Sequence, residues 1–123
     1  MNYQWRKNGA NISGATTSSY TLSNVQTGDA GSYAAFVSNA AGSATSANGV
    51  LVVLVSPAIT AQPLSQTVTQ GQNATFTVTA SGTTPLAYQW RLYGTNIAGA
   101  TTSSYTRSNL QLADAGPYSV IVS

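Results

Sequence analysis

The chain has 123 residues, a net charge of +2 at pH 7, six charged side chains, and neither His nor Cys. Its four Lys and Arg residues are scattered, so it lacks the basic patch that nucleic-acid binding requires, and we expect no nucleic-acid partner. Without Cys, disulfides contribute nothing to stability. Ser, Thr, Ala, Gly and Val predominate and the helix formers Glu and Lys are almost absent, which predicts strands, tight turns and essentially no α-helix.

The chain contains an internal repeat with a period of 85 residues. Tyr3-Gln4-Trp5-Arg6 returns as Tyr88-Gln89-Trp90-Arg91, and the segment from Gly14 to Tyr20 returns as Gly99 to Tyr105. Residues 3–38 and 88–123 share 24 identities in 36 positions without a gap. This agreement is too extensive for chance, so the chain carries two copies of one structural unit.

The first copy ends in six consecutive apolar residues, Val50 to Val55. The run is far shorter than the ~20 residues of a membrane helix, so we expect no membrane insertion. A strand with one solvated face would alternate apolar and polar residues. The run is therefore predicted to be a strand covered on both faces at a domain junction, or an edge that pairs with another chain.

The second copy is predicted to begin after Ser56-Pro57 and to contain short strands separated by turns. Small or apolar residues alternate with Thr from Ala74 to Ala80, as in a half-buried strand. Further strands are predicted at Ala87 to Leu92 and Ser104 to Ser108, and Tyr118, Val120 and Val122 alternate along a last one. Many short strands without helices indicate a sandwich or barrel.

The segment from Gly71 through Trp90 to Asp114-Ala115-Gly116-Pro117-Tyr118 resembles the immunoglobulin-like domains of the intermediate set, in the cysteine-free form of large bacterial surface and secreted proteins. The resemblance covers nearly the whole chain and implies an all-β, Greek-key β-sandwich in two tandem incomplete copies. In that family a Trp on strand C packs over a disulfide between the sheets, and a Tyr on strand F forms the tyrosine corner. Trp5 and Trp90 match this Trp, and Tyr33 and Tyr118 match this Tyr.

The sequence departs from the family at the disulfide positions. The first Cys position is taken by Val78, and the second by Val120 in one copy and Ala35 in the other. Burial of large apolar side chains at about 1.5–3 kcal/mol each can replace a cross-link worth about 2–4 kcal/mol. The residues expected in the structural core are Trp5, Ala35, Phe76, Val78, Trp90 and Val120.

The resemblance divides the chain into two domains. Residues 1–55 are expected to supply strands C, D, E, F and G of the first copy, and residues 57–123 strands A to F of the second. Ser56-Pro57 is then the whole linker, which predicts domains placed end to end with limited swing. Without strands A and B, the first copy is expected to be unstable by itself and open to strand addition.

The two carboxylates, Asp29 and Asp114, lie one full repeat apart and so in different domains. Each is expected to anchor the turn between strands E and F, not to take part in a catalytic pair. The absence of His, Cys and any second acid nearby predicts no catalytic residues, no cofactor and no metal site, and therefore no enzyme.

Three aromatic residues, Tyr3, Tyr88 and Tyr93, are not assigned to the core or to the tyrosine corner. They are therefore candidates for exposed contacts, including stacking on a carbohydrate.

Arg107 stands where the first copy has Leu22, at a position expected to face the core. A buried, unpaired guanidinium is costly, so this side chain must extend to solvent, pair with Asp114 or lie in an opening of the fold.

These patterns favour a non-catalytic structural or adhesive spacer of a repetitive protein, located outside the cell or at its surface, with neighbouring immunoglobulin-like repeats as partners. An accessory, carbohydrate-binding domain of a secreted polysaccharide-degrading enzyme is an alternative. A further alternative is a filament subunit that self-associates through Val50 to Val55 or through open strand edges, by strand donation.

Overall fold

The computed structural model describes all 123 residues, which form an all-β chain with no helix long and apolar enough to cross a membrane. Two short 3-10 turns, Thr27–Asp29 and Leu112–Asp114, are its only helical segments. The chain divides into two compact units: unit 1 is Met1–Leu54 and unit 2 is Val55–Ser123.

Unit 1 is built on one antiparallel sheet centred on its longest strand. The strand order is β2-β1-β3-β4, and β5 pairs with the first residues of β3. Its strands are β1 (Asn2–Lys7), β2 (Ala10–Asn11), β3 (Gly31–Asn39), β4 (Gly42–Thr45) and β5 (Gly49–Leu51).

The pairing of β1 with β3 places Trp5 opposite Ala35 and Tyr3 opposite Val37. Residues two apart on a strand share a face, so these side chains lie on one side of the sheet. Strands D and E of the first copy, which the family pattern predicts between β2 and β3, are absent; the segment Ser19 to Leu22, which repeats Ser104 to Arg107, is not a strand. That prediction is wrong because a strand needs a partner, and unit 1 contains no counterpart of the strand that pairs with the equivalent segment of unit 2.

Unit 2 contains seven short strands in antiparallel pairings. One sheet has the order β10-β9-β12, and two further pairs are β11 with β7 and β6 with β8. The strands are β6 (Ala58–Ala61), β7 (Ala74–Thr77), β8 (Thr79–Ser81), β9 (Tyr88–Leu92), β10 (Thr95–Asn96), β11 (Ser104–Arg107) and β12 (Tyr118–Val122).

The predicted strand from Ala74 to Ala80 forms β7 and β8, which are interrupted at Val78. The Val78 N–H donates to the carbonyl of Ser103 at 3.0 Å, and the chain changes partner there from β11 to β6. Along β12 the predicted alternation is present, because Tyr118, Val120 and Val122 are half-buried between exposed neighbours.

The core of unit 2 consists of Val78, Trp90 and Ala100, with exposures of 5%, 0% and 6%. Partly buried apolar side chains pack around it: Phe76, Tyr88, Ile97, Tyr105 and Val120. Unit 1 buries only Ala15 and Ala34. Two of its expected core residues, Trp5 and Ala35, are therefore half-buried, and this difference traces to the strands that unit 1 lacks.

The run from Val50 to Val55 is not covered on both faces, contrary to one of its two predicted interpretations. Strand β5 ends at Leu51, and Val50, Val52 and Leu54 are 72%, 70% and 75% exposed. Alternate residues of an extended segment point to opposite sides, and one side of this segment is solvated.

Candidate functional site: the repeated aromatic scaffold

The indole of Trp90 lies fully buried in the core of unit 2. Its Nε1–H donates to the carbonyl of Thr102 at 2.8 Å, and its ring centroid lies 6.2 Å from that of Phe76 and 6.4 Å from that of Tyr105. Because the N–H is satisfied by backbone, the ring can be fully buried without an unpaired donor.

Trp5 repeats this arrangement in unit 1. Its Nε1–H donates to the carbonyl of Thr17 at 3.0 Å, and its ring lies 6.3 Å from that of Tyr20. No counterpart of Phe76 contacts it, and the indole remains half-buried.

Tyr118 and Tyr33 close the turn before their strands in the same way. The Tyr118 hydroxyl donates to the carbonyl of Asp114 at 2.6 Å, and the Tyr33 hydroxyl donates to the carbonyl of Asp29 at 2.6 Å. Burial raises the pKa of each phenol above its ordinary value, and the negative charge of the nearby Asp adds to this effect. Both hydroxyls therefore remain protonated donors at neutral pH.

The carboxylates lie in the turns that these Tyr residues close. Asp114 Oδ2 accepts the backbone N–H of Gln111 at 2.9 Å, and Asp29 Oδ2 accepts that of Gln26 at 2.8 Å. Asp114 Oδ1 also pairs with Arg107 at 2.9 Å. The Gln111 N–H lowers the pKa of Asp114, and Arg107 adds to this shift against the opposing effect of burial.

The side chain of Arg107 thus adopts one of the three predicted arrangements, the ion pair with Asp114. Its side chain is 47% exposed, whereas that of Asp114 is 12% exposed. The pair lies at a cleft of about 210 Å³ whose lining includes Phe76, Val68 and Tyr118. The carboxylate of Asp114 is thus held by a guanidinium and by a backbone N–H of the turn.

Comparison with known proteins places the scaffold in a family. The sequence profile of the immunoglobulin domain matches residues 56–123, more than half of the chain. The chain belongs to the immunoglobulin domain family. A curated relative, the muscle M-line assembly protein unc-89 of Caenorhabditis elegans, is 36% identical over 141 residues, an alignment that covers 98% of this chain and 2% of the relative.

Solved structures with immunoglobulin domains share the fold. An I-band fragment of titin has a TM-score of 0.75 at 21% identity, and extracellular domains 3–5 of Drosophila OTK have a TM-score of 0.66 at 18% identity. Each comparison covers 98% of this chain and 49% or 46% of the other. The chain therefore spans about half of these structures and a small fraction of the curated relative.

Within this immunoglobulin chain, the three Tyr residues predicted as exposed contacts differ in exposure. Tyr93 is 69% exposed, in the turn after β9, with its ring against Gly116. Tyr88 is instead half-buried and packs against the core of unit 2, and Tyr3 is half-buried in unit 1. The prediction fails for these two because each lies two residues from a Trp on the same strand and so faces inward.

Sequence reasoning missed a second set of repeated contacts. Gln89 Nε2 donates to the carbonyl of Ile97 at 2.9 Å, and Gln4 makes the equivalent bond to Ile12 at 2.7 Å. The guanidinium Nε of Arg91 donates to Asn96 at 2.7 Å, and that of Arg6 to Asn11 at 2.9 Å. The sequence could have indicated these residues, because all of them are identical in the two copies. Their hydrogen-bond partners could be identified only from the pairing of the strands.

Proposed function

We propose that this chain is a non-catalytic structural or adhesive spacer module of a repetitive extracellular protein. The observation that carries the proposal is that both copies build the same hydrogen-bonded aromatic scaffold at an interval of 85 residues. In each copy the identical residues hold backbone: the Trp indole bonds a loop carbonyl, and the Tyr hydroxyl bonds the turn before its strand.

Family membership supports this function at the level of a structural or adhesive module. The curated relative is described as an assembly protein of the muscle M-line, and the related OTK structure consists of extracellular domains. The proposed location is outside the cell, and the proposed origin is a bacterial surface or secreted protein.

Force spectroscopy on residues 1–123, held at both ends, tests the mechanical role. If the chain is a spacer, unit 2 should resist force and release roughly 200 Å of chain in one step. Trp90→Ala should lower the force of that step, while Gln62→Ala, at an exposed position outside the strands, should leave it unchanged. Extension without a discrete step would contradict a load-bearing role.

A carbohydrate-binding accessory domain is the second candidate, favoured by one observation, the 69% exposure of Tyr93. Sugars stack on exposed aromatic faces. A glycan array with the intact chain and with Tyr93→Ala separates the candidates. Binding that the substitution abolishes would favour the accessory domain, and the absence of binding would favour the spacer.

A further inference from the structure

The chain contains two Asn-Gly pairs, Asn8-Gly9 and Asn48-Gly49, and both Asn residues are exposed. An Asn side chain readily loses its amide when Gly follows it, because Gly has no side chain to hinder attack by its backbone nitrogen. The fold decides whether that nitrogen can reach the side-chain carbonyl. Two such pairs in one chain therefore allow the effect of the fold to be measured directly.

The fold holds the first of these pairs in place. Asn8-Gly9 is the two-residue turn between β1 and β2, with φ angles of 48° and 83°. Asn-Gly is favoured in hairpin turns of this kind. The Asn8 Oδ1 accepts the backbone N–H of Ser32 at 3.0 Å, and the Asn8 N–H donates to the carbonyl of Ser32 at 2.8 Å. Ring closure at Asn8 would have to break the side-chain bond and open the turn.

The second pair lies in an irregular part of the sheet, between β4 and β5. The residues of β3 that pair with Ser46 and Gly49 are separated by a single residue. On the opposite chain, both Ala47 and Asn48 lie between them. The extra residue makes a β-bulge, which leaves Asn48 outside the regular ladder. Its side chain is exposed and takes part in no hydrogen bond.

We propose that Asn48 is a site of spontaneous deamidation, and that the fold protects Asn8 from the same reaction. The backbone nitrogen of Gly49 attacks the side-chain carbonyl carbon of Asn48, and the amide leaves as ammonia with the proton of that nitrogen. Water then opens the cyclic imide at either carbonyl, which gives Asp or isoaspartate. The reaction consumes one water, releases one ammonia and lowers the net charge of +2 by one.

The isoaspartate product should loosen β5. Isoaspartate carries the main chain through its side-chain carbon, so it inserts one methylene group directly before this strand. β5 is held to β3 by three residue pairs, which begin with Gly49 opposite Tyr33. We therefore expect the isoaspartate form to lose this first pair, whereas Asp at the same position keeps the length of the backbone.

Peptide mapping by mass spectrometry tests the site. The intact chain is incubated in mildly alkaline buffer, with and without urea, and is then cut with chymotrypsin so that Asn8 and Asn48 fall in different peptides. We expect Asn48 to be converted several-fold faster than Asn8 in buffer, and the two to react at similar rates in urea. If Asn48 is converted no faster than Asn8 in buffer, the proposal is overturned.

The variant Ser32→Pro tests the protection of Asn8. It removes the N–H that Asn8 Oδ1 accepts, and the second copy already carries Pro117 at this position. Conversion of Asn8 should become several-fold faster, while Asn48 in the same molecules serves as the internal control and keeps its rate. An unchanged rate at Asn8 would show that the side-chain bond does not protect it.

The effect on β5 is tested with Asn48→Asp, which introduces the charge without the additional methylene group. Amide hydrogens of β5 should exchange several-fold faster in the isoaspartate form, separated by chromatography, than in this variant. Equal exchange in the two forms would contradict the loosening of β5.

Discussion

At the scale of single residues, repeated side-chain bonds to backbone hold the turns of this chain. The hydroxyl of Tyr118 bonds the carbonyl of Asp114, four residues earlier, and the carboxylate of Asp114 bonds the N–H of Gln111. Each bond satisfies a backbone group in a turn that has no sheet partner. The turn between β11 and β12 therefore depends on two side chains.

Removal of the Tyr118 hydroxyl should destabilise unit 2. The variant Tyr118→Phe keeps the ring against Phe76 but leaves the Asp114 carbonyl without its donor, so we expect a loss of about 1 kcal/mol in the free energy of unfolding. Urea denaturation followed by Trp90 fluorescence in a Trp5→Phe background measures this loss. Tyr33→Phe, in unit 1, is the matched control, and an equal loss from it would contradict the assignment.

Acid should weaken unit 2 through Asp114. The pKa of this carboxyl is lowered in the fold, so its contribution to stability is complete above the unfolded value of about 3.9 and is lost as the pH falls through the lower folded value. We expect Asp114→Asn to be less stable at neutral pH and to lose much of this acid dependence. Denaturation midpoints between pH 2 and 7 test this, with Asp29→Asn as control; an unchanged acid profile in Asp114→Asn would reject it.

Arg107→Leu should raise the melting temperature of unit 2. The ion pair of an exposed Arg contributes little, whereas a Leu at this position can fill the cleft beside Phe76 and Tyr118. Arg107→Gln removes the charge without adding apolar surface and should not raise the melting temperature. A lower melting temperature for Arg107→Leu than for Arg107→Gln would show that the ion pair is the larger effect.

At the scale of elements, β7 and the residue after it decide whether a copy has a core. Phe76 and Val78 lie next to the indole of Trp90, and β12 brings Val120 against the same core. In the related family the positions of Val78 and Val120 carry the disulfide, so we place them opposite each other between the sheets.

A disulfide engineered at these positions tests that placement. The double variant Val78→Cys, Val120→Cys should oxidise to a bond that stabilises unit 2 by about 2–4 kcal/mol relative to its reduced form. Mass spectrometry and melting with and without reductant measure it. Val78→Cys combined with Ser119→Cys, whose side chain is exposed on β12, is the control and should stay reduced; a control that oxidises equally well would show a different register.

At the scale of the whole molecule, the repeated segments of the two units share most of their sequence but differ in burial. We expect the central strand of unit 1, β3, to exchange its amide hydrogens faster than β12 of unit 2. The core that Phe76 and Val78 supply in unit 2 is worth roughly 3–6 kcal/mol, a large part of the net stability of a domain. Native-state hydrogen exchange on the intact chain measures the difference, and equal protection of β3 and β12 would contradict it.

Most of the fold could be predicted from local sequence. The alternation of Tyr118, Val120 and Val122 predicted a half-buried strand, and the 85-residue period predicted that both copies would place a Trp and a Tyr alike. These features follow from the two-residue period of a strand and from the identity of the copies. Tyr88 could have been assigned to the interior by the same rule, since it lies two residues from Trp90.

Tertiary structure decided the features that depend on a partner distant in the sequence. Ser19 to Leu22 and Ser104 to Arg107 differ only at their last residue, yet only the second is a strand, because only it has β7 to pair with. The same applies to Trp5 and Trp90, which differ in burial although both lie in the sequence Tyr-Gln-Trp-Arg. A strand and a buried side chain both require contacts with residues that are distant in the sequence. Local sequence determines whether a segment can make these contacts, but not whether the partner residues are there to make them.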